Sequence, residues 1–511
     1  MKDKLLNNAE ITAIALMGFV ALIVGGWSVI ILVVLVGAFI GVSVEPDPSG
    51  VRRAGVSGAL GALILVIITL IHNTLIIRLP DQDSIPVAAQ NIGVYLVALA
   101  LGTGVAMLVA FLRAHADARV RRYGLMALML VAAVLFPFFE KQSGLFWANT
   151  VIVAMIYSLQ ALGLNIVAGY AGMLDLGYVA FFAIGGYTMA LLNSPQINVQ
   201  LLFWLVIWIA AAAAAVFGLI LGAPVLPLRG DYLAIVTLGF GEIVPIVFKN
   251  LEAVRIYEPV TEILSAILRQ PNLALCLVGC GEDPFNLTNG TQGVSPIGRP
   301  EVPTGLIAFF KNPPFNTDLT FLPGNYLPWY FLILVLLVVS IFFISRLRQS
   351  RIGRAWVAIR EDELAANAMG INLVQTKLTA FMLGAMFSGF AGAFYASYVS
   401  FVSPDAFEFS ISVIVLCMVI LGGSGSITGV LLGAFIIKAV DLLLLDEFQV
   451  VLGGLLQVTV FRAIESQDVR LFFNSLLDAT QYKLLLFGLI LVLMMQFRPQ
   501  GLVPSVAPRR K

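Results

Sequence analysis

The chain has 511 residues, of which 60% are hydrophobic and 12% charged, and a formal net charge of +1. A water-soluble protein carries about a quarter charged residues, so a chain this apolar cannot hide its surface in a soluble globule, and its charge balance gives no pull toward nucleic acid. It reads as a polytopic integral membrane protein, and its long uniform apolar runs favour helices over the alternating pattern of a membrane barrel.

Runs long enough to cross roughly 30 Å of hydrocarbon are expected at 12–41, 54–77, 91–112, 123–139, 147–168, 172–192, 201–222, 231–249, 326–345, 374–400, 408–422, 428–445 and 480–497. This is an all-α fold with about 11–13 transmembrane helices, including short or broken spans. The first run is too long for one upright helix and either tilts or turns back near Gly25 and Gly26. It has no clear small-residue cut site, so a cleavable signal peptide is not expected. Lys and Arg in short loops mark the cytoplasmic side. "RAHADARVRR" (113–122), the stretch 346–377 and the tail with Arg498, Arg509, Arg510 and Lys511 all fall on one side of the walk. The segments 250–325 and about 446–479 then lie outside.

The outer segment 250–325 contains an amphipathic "YEPVTEILSAILR" and a Pro/Gly/Asn-rich "NLTNGTQGVSPIGRP". Cys276 and Cys280 fall in it, either paired in an oxidising compartment or free. Cys417 lies in a span and reads as packing, and the N-x-[ST] matches at Asn286 and Asn289 are short enough to arise by chance. His72 and His115 stand far apart, and there is neither a His-rich motif nor a GxxxxGK[ST] loop. No metal, cofactor or P-loop nucleotide site is therefore expected in this chain.

Four stretches carry chemistry. In "LGLNIVAGYAGMLDLGYVAFFAIGGYTMALL" (162–192), glycines recur among aromatics. They permit either close helix contact or a helix break opening on a cavity. Asn165 and Asp175 are polar there; Asp175 is either a pathway group at membrane depth or an interfacial residue near the Gly169–Gly172 turn. In "LRGDYLAIVTLGFGEIVPIVF" (228–248), Glu242 lies halfway along a span with Thr237 nearby, so it must face protein, water or an ion. Pro245 is expected to kink that helix. The third stretch is "RIGRAWVAIREDELAANAMGI" (351–371), preceded by Arg346 and Arg348. Acids at its start suit a helix N-terminus, and Gly370 is a natural stop. It is either a solvated linker whose arginines fix topology or a docking helix with a small-residue face at Ala365, Ala366 and Ala368. In the fourth, 385–435, Gly389 and Gly392 read as close packing, "LGGSGSITG" separates two short spans, and Gly429 and Gly433 form a GxxxG pair.

Five ordered blocks resemble the permease subunit of branched-chain amino-acid ABC importers, the LivM type. They are "GLNIVAGYAGMLDLGYVAFFAIGGYT", "LRGDYLAIVTLGFGEIV", "RIGRAWVAIREDELAANAMGI", "SPDAFEFSISVIVLCMVILGGSGSITG" and "FRPQGLVPS", together spanning about residues 145 to 503. The resemblance implies an ABC-importer permease fold with its core at 123–503, an N-terminal extension of about three spans at 1–122, a cytoplasmic coupling loop at 346–373 and a cytoplasmic tail at 504–511. It implies a transport subunit of the bacterial inner (plasma) membrane and not an enzyme. Its partners would be a second related permease, two cytoplasmic ATPases, a periplasmic binding protein, the lipid bilayer and an amino-acid substrate. Coupling to the ATPases is expected at Arg354, Arg360, Glu361, Asp362, Glu363, Ala365, Ala366 and Gly370, within a helix at 354–370. Leu364 holds the Glu position of the family's E-A-A-x-x-x-G pattern, with Glu363 one residue earlier. The candidate substrate pathway is Asn165, Asp175, Thr237 and Glu242. From the residues alone, an ion-gradient-driven transporter using Glu242 or Asp175 as proton carrier is the competing class.

Overall fold

The computed structural model describes residues 48–76, 148–195, 200–225, 231–252, 286–302, 320–322, 324–444, 483–497 and 500–503, with a few isolated positions between 103 and 137 and residue 305. Apart from those positions, the runs expected at 12–41, 91–112 and 123–139 lie outside the described residues, as do Cys276 and Cys280. The described regular structure is helical, with one isolated antiparallel bridge between Val294 and Val402. In chain order the helices are α1 (Pro48–Ile76), α2 (Ala148–Leu164, continued by a π turn Asn165–Tyr170), α3 (Val179–Asn193), α4 (Phe203–Val225), α5 (Asp231–Asn250) and α6 (Tyr326–Gln349). Then come α7 (Arg351–Glu361), α8 (Glu363–Ala368), α9 (Leu373–Val399), α10 (Phe409–Gly422), α11 (Ile427–Ala439, continued by a π turn Val440–Leu444) and α12 (Lys483–Phe497).

Six described helices are long and apolar enough to cross a membrane: α2 with its π turn, α4, α5, α6, α9, and α10 with the 3-10 turn before it. At 1.5 Å per residue, the apolar helices α3, α11 and α12 are shorter than a full span. The fold is thus all-α and polytopic, with the broken and short elements expected from the glycine-rich blocks.

The chain divides into two compact units, 1–150 with 439–483, and 151–438 with 484–511. In the first, a buried carboxylate at Asp441 is neutralised by an ion pair with Lys483. Burying a charge is costly unless it is paired.

The second unit is built around α9, which packs along α3 and α4. Where lipid replaces water, association rests on van der Waals contact, and small residues let backbones approach. A Cβ at Gly185 would sit 2.3 Å from the carbonyl oxygen of Gly389, so the α3–α9 crossing admits no side chain there. The glycines of the GxxxG pair meet α10 in the same manner. The apolar window of α2 is 83% buried, whereas that of α5 is 22% buried. Buried over most of its surface, α2 lies inside the packed helices. In contrast, α5 presents Tyr232, Ile235, Ile243 and Ile246 outward.

The span expected at 172–192 begins late: residues 171–178 form a non-helical connector, and helix resumes only at Val179. The start of α3 explains this. The connector's amides and the first amide of α3 have no partners within a helix, and side chains accept from them, those of Thr237 and Ser412 from far along the chain. Asp175 Oδ1 accepts from Gly177 N at 2.9 Å, Thr237 Oγ1 from Leu176 N at 3.1 Å, and Ser412 Oγ from Val179 N at 2.9 Å. Gly172, at φ +72°, turns the chain into the connector in the left-handed region that favours glycine.

Candidate functional site: a polar helix pair over a broken span

The segment between α6 and α9 is polar where its neighbours are not, and it folds as two helices instead of the single one expected over 354–370. Ser350 caps α7 by accepting from Gly353 N at 3.2 Å. α7 is amphipathic: Gly353, Trp356 and Ile359 face inward at helical spacing. The Trp356 ring is fully buried, and its Nε1 donates to Thr376 O at 2.8 Å, fastening α7 to the start of α9. The helix stops at Asp362, whose backbone is extended (φ −158°). Short polar side chains compete with helix for backbone amides. Asp362 Oδ1 accepts from Leu364 N at 2.8 Å and Ala365 N at 3.0 Å, ending one helix and capping the next.

In α8, Ala366 turns inward while Ala365 and Ala368 stay exposed, so the expected three-alanine face is divided between inside and outside. Gly370 closes the pair at φ +85°, with Ile371 N donating to Ala366 O at 3.1 Å. That is the left-handed stop the sequence suggests. Glu363 does not stand in for the missing glutamate at Leu364: it is drawn back to Lys377 Nζ at 2.7 Å. Arg354 donates to Gln349 O at 2.7 Å, and both Arg354 and Glu361 are exposed. Two apolar side chains on this polar element point away from the protein: Leu364 and Met369 are each 83% exposed.

Arg360 is exposed as well, but its guanidinium reaches back to the protein. Its Nη1 donates to Gly169 O at the end of the α2 π turn, and its Nη2 to Ser424 Oγ at 3.4 Å in the loop between α10 and α11. Four residues nearer α2, at the first residue of the π turn, Asn165 Oδ1 accepts from Gly425 N at 2.7 Å in that same loop. The chain's C-terminal stretch closes over the loop, Leu502 N donating to Leu421 O at 2.9 Å and Val503 N to Gly422 O at 3.0 Å.

The four pathway candidates do not converge. Asp175 and Thr237 meet at the connector and Asn165 is tied to the 423–426 loop, all three buried. Glu242 is exposed on the outer face of α5, among Ile235, Ile243 and Ile246. Among the described residues, Asp175 Oδ2 and Asn165 Nδ2 are buried without a hydrogen-bond partner. Sequence reading missed Gln160, fully buried within α2 with both its Oε1 and Nε2 unpartnered. The signal was present: it is the one glutamine of α2, set amid apolar residues. Cys417 is buried as packing, its Sγ 3.8 Å from Phe487 O.

A family described as "Branched-chain amino acid transport system / permease component" matches residues 146–495. The chain belongs to that family. This permease is 38% identical over 395 residues to the high-affinity branched-chain amino acid transport system permease protein LivM of Salmonella typhimurium, which covers 76% of each chain. It is 38% identical over 391 residues to the Escherichia coli K12 protein of the same name, 75% of each chain. It is also 24% identical over 301 residues to the permease protein LivH of Salmonella typhimurium, covering 58% of this permease and 83% of LivH. No solved structure matches it. The family match runs from α2 into α12 and so contains the polar helix pair, the broken span and the 423–426 loop. The protein is therefore a multi-pass membrane permease with a transport role.

Proposed function

We propose that this permease is one of two related membrane subunits of an ATP-driven importer for branched-chain amino acids, placed in the bacterial inner membrane. In this reading α7 and α8 lie in the cytoplasm and seat on an ATPase subunit, a second permease of LivH type completes the translocation path, and a periplasmic binding protein delivers substrate. The family match supports ATP-driven import over an ion-gradient mechanism. The observation that carries the docking assignment is the exposure of Leu364 and Met369. Large apolar side chains projecting from a polar, capped helix pair outside the apolar spans lose their hydration cost only when a partner covers them. Leu364 occupying the family's usual Glu position makes that contact apolar here. Glu242 supports the second permease: a carboxylate midway along an apolar helix is costly against hydrocarbon, so the outer face of α5 is read as turned to a protein neighbour and water.

The substrate class follows from the relatives, whose names specify branched-chain amino acids. The test is co-purification from the native membrane followed by leucine-dependent ATP hydrolysis. Leu364→Asp and Met369→Asp should each weaken recovery of the ATPase subunit by roughly tenfold or more, the loss typical of a central apolar contact, while membrane insertion stays intact. A purified assembly with no nucleotide-hydrolysing subunit, or full recovery of it with both variants, would sink the assignment.

A further inference from the structure

We propose that Arg360 is the positioning residue that transmits movement of the α7–α8 pair to the membrane part of the permease, by holding the broken end of α2 and the 423–426 loop as one body. This rests on the import reading above and names the path by which the push travels. Three observations carry it. First, Arg360 bridges two elements distant in sequence: its guanidinium donates to Gly169 O with one arm and to Ser424 Oγ at 3.4 Å with the other. A planar guanidinium offers several donors in a fixed fork, so one side chain fixes the separation and angle of both acceptors.

Second, the acceptor on α2 exists because the span is broken there. The π turn and the left-handed turn at Gly172 carry the chain out of helix register after Tyr170. A carbonyl leaving a regular helix needs an outside donor. The stem of Arg360 lies so close that a Cβ at Gly172 would fall 2.8 Å from its Cγ.

Third, the two bridged elements are already clamped to each other. Asn165 Oδ1 accepts from Gly425 N at 2.7 Å, and a Cβ at Gly169 would lie 2.0 Å from that oxygen and 2.7 Å from Gly425 N. Nearby, the Arg348 guanidinium sits 5.7 Å from the Tyr170 ring, adding a cation–π contact from the end of α6 to the same turn. A displacement of α7 therefore reaches α2, α10 and α11 together. Packed elements of this kind move between discrete arrangements, not by gradual bending.

The experiment uses the full-length permease purified with its partner subunits, reconstituted in proteoliposomes with leucine as the probe. It measures leucine taken up per ATP hydrolysed, a ratio independent of how much complex assembles. R360A should lower the ratio about tenfold, within the range of ordinary allosteric couplings, while hydrolysis continues. R360K keeps the charge but not the fork and should fall between R360A and wild type. N165A added to R360A should lower the ratio by less than the product of the two single effects, because both act on one clamp. If R360A does not assemble, R360K decides. A wild-type-like ratio in the arginine variants, or fully multiplicative effects in the double variant, would overturn the tie while the import reading stands. Absence of nucleotide-driven leucine uptake in the wild type would overturn both.

Discussion

A single buried amide shows how far one residue constrains this protein. Both polar ends of Gln160 are buried with no partner among the described residues, and a desolvated, unpaired group costs about 1–3 kcal/mol. If Gln160 only packs, Gln160→Leu should raise the thermal stability of the detergent-solubilised protein and leave transport alone. A fall in leucine uptake in that variant would instead assign the amide a role beyond packing. Asp175 differs: one of its oxygens caps the connector, so Asp175→Ala should cost about 1 kcal/mol, as cap losses do, read as a lower melting temperature. The expense of an acid at this depth was legible in the sequence. Its companions were not, because Leu176 meets Thr237 across 61 residues and Val179 meets Ser412 across 233. Periodicity and spacing report neighbours along the chain and say nothing about such pairings. In the same way, Arg360 was legible as a charged residue in a coupling loop, but its inward direction depends on a carbonyl 191 residues earlier.

Among the elements, those governed by local chemistry were legible. The long apolar runs became α2, α4, α5, α6, α9 and α10, and Gly370 ended its helix where a left-handed stop was expected. The failures were at capping and breaks. Asp362 reads as an acid favouring a helix start, which it is, but it also ends the helix before it, so one expected helix became two. The apolar composition of 172–178 hid a connector because hydropathy does not register where amides are satisfied. Two predictions belong at this scale. Gly370→Pro should uncouple hydrolysis from uptake, since proline is fixed near φ −65° and cannot adopt +85°; uptake per ATP is the measurement. Gly389→Val should destabilise the α3–α4–α9 core by about 1–3 kcal/mol, the usual cost of overpacking. A Cβ there would already lie 2.5 Å from that of Ala214. A drop in melting temperature checks it.

For the molecule as a whole, the inside–outside assignment is the claim on which the proposed assembly depends. A cysteine placed at Ala365 should react with a membrane-impermeant thiol reagent only from the cytoplasmic side; labelling of intact cells from outside would invert the topology. Orientation was inferred from arginine and lysine in loops, a signal that survives without knowledge of packing. Gly389 and Gly392 read as close packing and do pack closely, but which helices they meet was not legible, because small residues permit contact without specifying the partner.

The bond between Asn165 and Gly425 has a consequence for how the protein is made. The two residues are 260 positions apart. At the usual pace of a ribosome, about 5–20 residues per second, the asparagine enters the bilayer roughly 13–50 s before its mate exists. Through that interval α2 must sit among lipids or be shielded by the insertion machinery. Nascent chains stalled before position 425 should therefore be prominent targets for membrane proteases.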